Sequence, residues 1–149
     1  MTANVMGKIA VGVDGSECAK EALTWALDEA ALRGAAVIAV HAYQIPMVVP
    51  TAGGLAYSLP DIDFESEARQ LLDNVIKEVT GGAENVTIER RVVERGAAEA
   101  LIRASGAADL LVVGSRGLGG FRGLLLGSVG HQCVQHAHCP VVVIPHKDH

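Results

Sequence analysis

Five short aliphatic runs, at residues 8–13, 36–43, 86–93, 109–114 and 140–145, alternate with longer segments of helical period, and this alternation leaves the chain very few architectures. A run of Val, Ile, Leu and Ala that ends at a turn signal reads as a strand buried on both faces. When such strands take turns with helices, right-handed crossovers make the strands parallel and put helices on both sides of the sheet. The expected fold is a doubly wound α/β sandwich. A length of 149 residues suits one such domain over residues 1–149. Half the residues are apolar and only 3% aromatic, so the core has to be built from small and branched aliphatic side chains.

The helical segments carry their own punctuation. Residues 17–33 place Ala19, Ala22, Leu23, Ala26 and Ala30 on one stripe, opened by a cap at Ser16 and stopped at Gly34. Trp25 lies off that stripe and is expected at an edge of the packing. Residues 61–79 repeat the pattern with Ala68, Leu71, Leu72, Val75, Ile76 and Val79, closed by Gly81-Gly82. A short helix is expected with Ala97, Ala100, Leu101 and Ala104 inward, and another over 128–137 with Ser128 as a competent N-cap. The run at 86–93 alternates apolar with polar residues in its first half, which suits a strand near the sheet edge. Residues 44–60 hold three prolines and Gly53-Gly54 without any period, and read as a long loop.

A formal net charge of −5 with no basic block gives a nucleic-acid backbone nothing to meet, so DNA and RNA are not expected partners. No apolar run has the length of a signal peptide core or a membrane span. The three cysteines, Cys18, Cys133 and Cys139, cannot all pair within one chain. These observations make a reducing, cytoplasmic address and no membrane partner the expectation.

Chemistry concentrates in Gly114-Ser-Arg-Gly117-Leu-Gly-Gly-Phe-Arg-Gly-Leu-Leu-Leu-Gly127-Ser128, between a buried strand and a helix. A doubly wound sheet places ligands at the C-terminal ends of its strands. Glycines let backbone N–H groups approach an anion closely, and the following helix adds unsatisfied N–H groups and a favourable dipole. Phosphate is the anion these features suit. The segment has no lysine, so it is not a P-loop. Position 122 is Arg where a dinucleotide fingerprint begun at Gly117 and Gly119 needs a third glycine. Gly114-Ser-Arg-Gly117 is one residue too short for a nucleophile elbow.

What the segment does fit is the spacing G-x2-G-x9-G-S from Gly114 to Ser128. With Val11-Gly-Val-Asp14-Gly-Ser16 and the closing His136-Ala-His-Cys-Pro-Val-Val-Val, the chain resembles the ATP-binding universal stress proteins over essentially its whole length. The resemblance implies a five-stranded parallel sheet in order 3-2-1-4-5, a Rossmann-like sandwich of the adenine nucleotide alpha hydrolase type. It implies stress-linked binding of ATP, AMP or cyclic AMP. By the same resemblance, phosphate contacts fall on Gly117, Leu118, Gly119, Gly120, Gly127, Ser128 and Val129, mostly through main-chain N–H groups. Gly114, Ser115 and Arg116 complete the loop's entry, with Arg116 and Arg122 either adding charge or simply solvated. Gly12 and Asp14 would face the adenosine, and Val40 would line the base pocket through its backbone. A homodimer through the last strand, Val141, Val142, Val143 and Ile144, is also implied.

Rival chemistry is less well supported. His131, Cys133, His136, His138 and Cys139 include zinc-ligand types, but in a helix His131 and Cys133 face apart, so no metal site is expected. Efficient hydrolysis would need an activated water and charge stabilisation at the γ-phosphate, and the loop offers neither a lysine nor a clear base. Asp14 and Ser128 would at most help hold a magnesium ion bound mainly through the phosphates. The alternatives are weak ATP hydrolysis or a ligand-free interaction module. Alanine at Gly114 or Gly117 is expected to weaken nucleotide binding far more than it disturbs the fold.

Overall fold

A computed structural model of the chain describes residues 7–45, 62–117 and 126–146. Strands β1 (Lys8–Gly12), β2 (Ala36–Tyr43), β3 (Ile88–Glu94), β4 (Leu110–Gly114) and β5 (Val141–Ile144) form one sheet in the order β3-β2-β1-β4-β5. Every neighbouring pair is parallel, as the alternation of strands and helices requires. Helices α1 (Glu17–Arg33), α2 (Phe64–Thr80), α3 (Ala97–Ser105) and α4 (Ser128–His136) fill the crossovers.

The two-residue period of a strand splits the core into two layers. Ile9, Val11, Val37, Ala39 and Val112 point to one face and pack with Leu23 and Ala26 of α1 and Leu72 and Ile76 of α2. Ala10, Ile38, Val40, Leu111 and Val113 point to the other, against Ala100, Leu101 and Ala104 of α3 and Cys133 of α4. The stripe expected on α1 is buried throughout, and Trp25 packs half-buried against the margin of the first layer. Truncating a fully buried residue such as Leu23 to alanine should cost roughly 2–5 kcal/mol.

Local signals are realised with small shifts. Ser16 caps α1 by accepting the Ala19 N–H at 3.1 Å, and Gly34 closes it at φ 69°. Helix α2 starts three residues later than its hydrophobic period suggests, because the Asp63 carboxylate takes the cap by accepting the Ser66 N–H at 3.1 Å. Gly81 ends α2 at φ 68°. Two expectations are corrected. Ala97 is exposed rather than inward, since it opens α3 at the rim of a cleft. Gly127 in extended conformation, not Ser128, holds the N-cap position of α4, and Ser128 is already the first helical residue.

Candidate functional site

The first wall of the site is the turn from β1 to α1. Asp14 Oδ1 accepts both the Ser16 N–H at 2.9 Å and the Ser16 hydroxyl at 2.6 Å, an Asx turn that Gly15 completes at φ 86°. Val13 is tied to the neighbouring strand from both its polar groups. Its N–H donates to the Val40 carbonyl at 2.8 Å, and its carbonyl accepts from His41 Nδ1 at 2.7 Å, which places the ring proton on that nitrogen. Asp14 is thereby fixed at the C-terminal end of the sheet.

The second wall is the exit from β4. A Cβ at Gly114 would lie 2.9 Å from Cys18 Sγ and 3.0 Å from the Cys18 carbonyl carbon and oxygen, so β4 approaches the α1 backbone as only glycine allows. This overturns the expectation that Gly114 serves the ligand alone: its substitution strikes the fold. Gly117 differs, because a Cβ there would meet the Asp14 side chain, with Oδ2 at 2.6 Å. The residue between them, Ser115, is 4% exposed, and its carbonyl accepts the Gly127 N–H at 2.5 Å. That bond joins the two described arms of the glycine segment. It also engages the Gly127 N–H, so the N–H groups that α4 offers a ligand begin at Ser128 and continue with Val129, where no intrahelical acceptor exists.

Between these walls, at the C-terminal ends of β1, β2 and β4, lies a cleft of about 480 Å3. Its position is the switch point of the sheet, where the connections leaving the adjacent strands β1 and β4 run in opposite directions and open α/β sheets receive ligands. Gly12, Asp14 and Val40 line it from the first wall, Gly114, Ser115, Arg116 and Gly117 from the second, and Gly127, Ser128 and Val129 from α4. Leu118, Gly119, Gly120 and Arg122 lie outside the described residues, as do positions 46–60 of the long loop. Its lining divides chemically into an apolar set, Val40, Ala42, Leu101 and Val113, and a polar set, Ser16, Asp14 and the start of α4. An amphiphilic ligand with a flat apolar group and an anionic tail matches that division, the anion lying where the α4 dipole favours it.

The sequence reading missed Ala42, Leu101 and Gly130 among the lining residues. Ala42 follows Val40 by two and so shares its face of β2. Leu101 sits over Gly12, where a Cβ would come within 2.8 Å of its Cδ1. Gly130 makes room for Leu126, whose Cδ1 lies 2.6 Å from where its Cβ would stand. No local motif announces the last two, since Leu101 is placed over a glycine of β1 from α3, and Gly130 is required by the Leu126 side chain beside it.

Elsewhere the surface offers an anion less. A groove of about 440 Å3 between α1 and α2 contains Lys20, but its ammonium pairs with Glu17 at 3.2 Å and Glu78 at 3.1 Å. On α4, His131 and His136 are exposed while Cys133 is fully buried, its thiol pushed up to about 11 by desolvation. Among the described residues no group of three His, Cys, Asp or Glu side chains is placed to hold a metal ion. No described helix is long and apolar enough to cross a membrane.

The family model of the universal stress protein family matches residues 6–145. The chain belongs to that family. A universal stress protein of Mycobacterium tuberculosis strain H37Rv is 37% identical over 138 residues, covering 91% of this chain and 44% of its own length. The chain therefore spans less than half the length of that curated relative. Among solved structures, a universal stress protein in complex with cAMP aligns with TM-score 0.66 at 26% identity, covering 97% of this chain and 100% of its own. The universal stress protein of Archaeoglobus fulgidus in complex with dAMP aligns with TM-score 0.60 at 26% identity, covering 94% and 98%. Both share the five-stranded family fold, and the cAMP and dAMP are ligands of those proteins.

Proposed function

We propose that the cleft binds an adenine nucleotide and that this universal stress protein acts through nucleotide occupancy in stress-linked regulation, without efficient turnover. The observation that carries the reading is convergence. Every described residue that the resemblance assigned to the site, from Gly12 to Val129, lines one cleft whose lining combines apolar side chains with the start of α4. Family members of known structure hold cAMP and dAMP, which supports adenine as the base. The base lies against Val40, Ala42 and Leu101, the ribose near Asp14, and the phosphates over Gly117 and the first N–H groups of α4. Val40's carbonyl already accepts one N–H, so it reads the base with its remaining lone pair. Where a magnesium ion accompanies the phosphates, Asp14 is the carboxylate beside Gly117 that would help hold it.

Calorimetry with ATP, AMP and cAMP tests the reading. A micromolar dissociation constant, about −8 kcal/mol, is expected for at least one of them, with GTP weaker. No heat at millimolar adenine nucleotide would refute it.

The same proposal includes a homodimer through β5, as a cytoplasmic protein. The two edges of the sheet are unlike. On β3, Arg90 pairs with Asp73 at 2.9 Å and Glu84 at 2.6 Å, and Glu89 pairs with Lys8 at 3.7 Å. Strand β5 is Val-Val-Val-Ile, a short apolar edge of the kind that invites pairing. Light scattering at micromolar concentration should give twice the chain mass, and a monomer mass would end this part of the proposal.

A further inference from the structure

We propose that Ser115 is a positioning residue that makes the exit of β5, residues 144–146, part of the nucleotide site; this rests on the reading of the cleft just given. Ser115 and Ser105 are the buried polar side chains among the described residues. Ser105 ties α3 to the turn before β5, its hydroxyl accepting the His138 N–H at 2.9 Å. Ser115 ties the ligand cleft to the other end of the same strand. Its N–H donates to the Ile144 carbonyl at 2.8 Å, and its hydroxyl accepts the His146 N–H at 3.0 Å. The hydroxyl also lies 3.7 Å from Cys18 Sγ, which donates to the same Ile144 carbonyl at 3.5 Å.

One proton order satisfies all of these groups. His146 donates to Ser115 Oγ, the Ser115 hydroxyl donates to Cys18 sulfur, and the Cys18 thiol donates to Ile144. The ring closes on β5, and the remaining polar atom of Ser115, its carbonyl, holds Gly127 at the cap of α4. The spacing of Gly117 from Ser128 therefore depends on a residue whose other three anchors include two at the exit of β5, Ile144 and His146. Among the described strands β5 has β4 as its one neighbour in the sheet, so a displacement at its exit is passed to Ser115. Holding the donors of the cleft at their bound spacing lowers the ordering cost of binding.

The test uses the full chain, ATP as probe, and His146→Pro, which deletes the N–H donor, beside His146→Ala, which keeps it. The proline variant should bind ATP about five-fold more weakly than the alanine variant, the factor one neutral hydrogen bond is worth. Ser115→Ala should lose affinity, Ser115→Thr should recover most of it, and His146→Pro combined with Ser115→Ala should be no weaker than the worse single change. Equal affinities of the proline and alanine variants, or losses that add in the double variant, would overturn the proposal. If the unaltered protein binds no adenine nucleotide, the reading of the cleft fails, and the link is judged on hydrogen exchange alone. Faster exchange of the Gly127 amide in His146→Pro than in His146→Ala supports it, and equal exchange overturns it.

Discussion

Two turns leave adjacent central strands and face each other across the cleft, yet they hold their shape by opposite means. The turn after β1 is short and closes on itself, with Asp14 and Ser16 satisfying each other within a few residues. The segment after β4 is long, and its described ends are joined by the Ser115–Gly127 bond and held from outside by residues 144–146 and the close pass of Gly114 over Cys18. A turn that satisfies its own donors is legible from its residues and leaves little for a ligand. One that borrows its supports keeps N–H groups for an anion, and its determinants are scattered through the chain.

The largest expected break in this comparison separates two glycines of one motif. Gly114→Ala forces a methyl onto the α1 backbone and should destabilise the protein by about 2 kcal/mol, read from urea denaturation. Gly117→Ala meets a side-chain oxygen, Asp14 Oδ2, rather than backbone, and should destabilise the protein less than Gly114→Ala while weakening ATP binding. Equal destabilisation by the two would refute the distinction.

Two serines sharpen it further. Ser16→Ala removes a helix cap and should cost about 1 kcal/mol in thermal or urea unfolding. Ser128→Ala removes no cap, because Gly127 holds that position, and should change stability by under about 0.5 kcal/mol. Any effect of the second substitution is expected in nucleotide affinity. A loss of stability matching that of Ser16→Ala would show that Ser128 caps α4 after all.

The smallest effect is chemical. Burial raises the Cys133 thiol behind α4 from 9.0 to about 11, so the unfolded chain ionises it first. Its contribution to stability is full below pH 9 and declines as pH rises toward 11. At pH 8 native Cys133 should resist alkylation, and nucleotide should slow the reaction further by holding the start of α4. Labelling at the rate of an unfolded peptide would contradict the burial.

The alternation of aliphatic runs and helical periods was enough to reach a parallel sheet covered on both faces and the place of the cleft, while the strand order came from the family resemblance. Signals that act within a few residues, such as Ser16, Gly34 and Gly81, were equally readable. Failures came where a distant element decides the outcome. Gly114 looks like a ligand glycine until Cys18 is placed beneath it, Ser115 gives no sign of its partners near the C-terminal end, and Ala97 fits an inward stripe until the cleft opens beside it. Motif spacing identifies which residues meet, but not which of them touch a ligand and which hold the others still.

The pairing of β1 with β4 brings Ile9 opposite Leu110, and Lys8 donates to Asp109 across 101 positions of sequence. Contacts so far apart in the chain form slowly, because a long loop has to close before any of them stabilises the product. During synthesis the β1–α1–β2 unit can assemble while β4 is still unmade. The cleft is then only half a surface, with its second wall missing. A ligand of this cleft therefore needs both walls, and an occupied cleft would mark a chain in which β4 has already docked on β1.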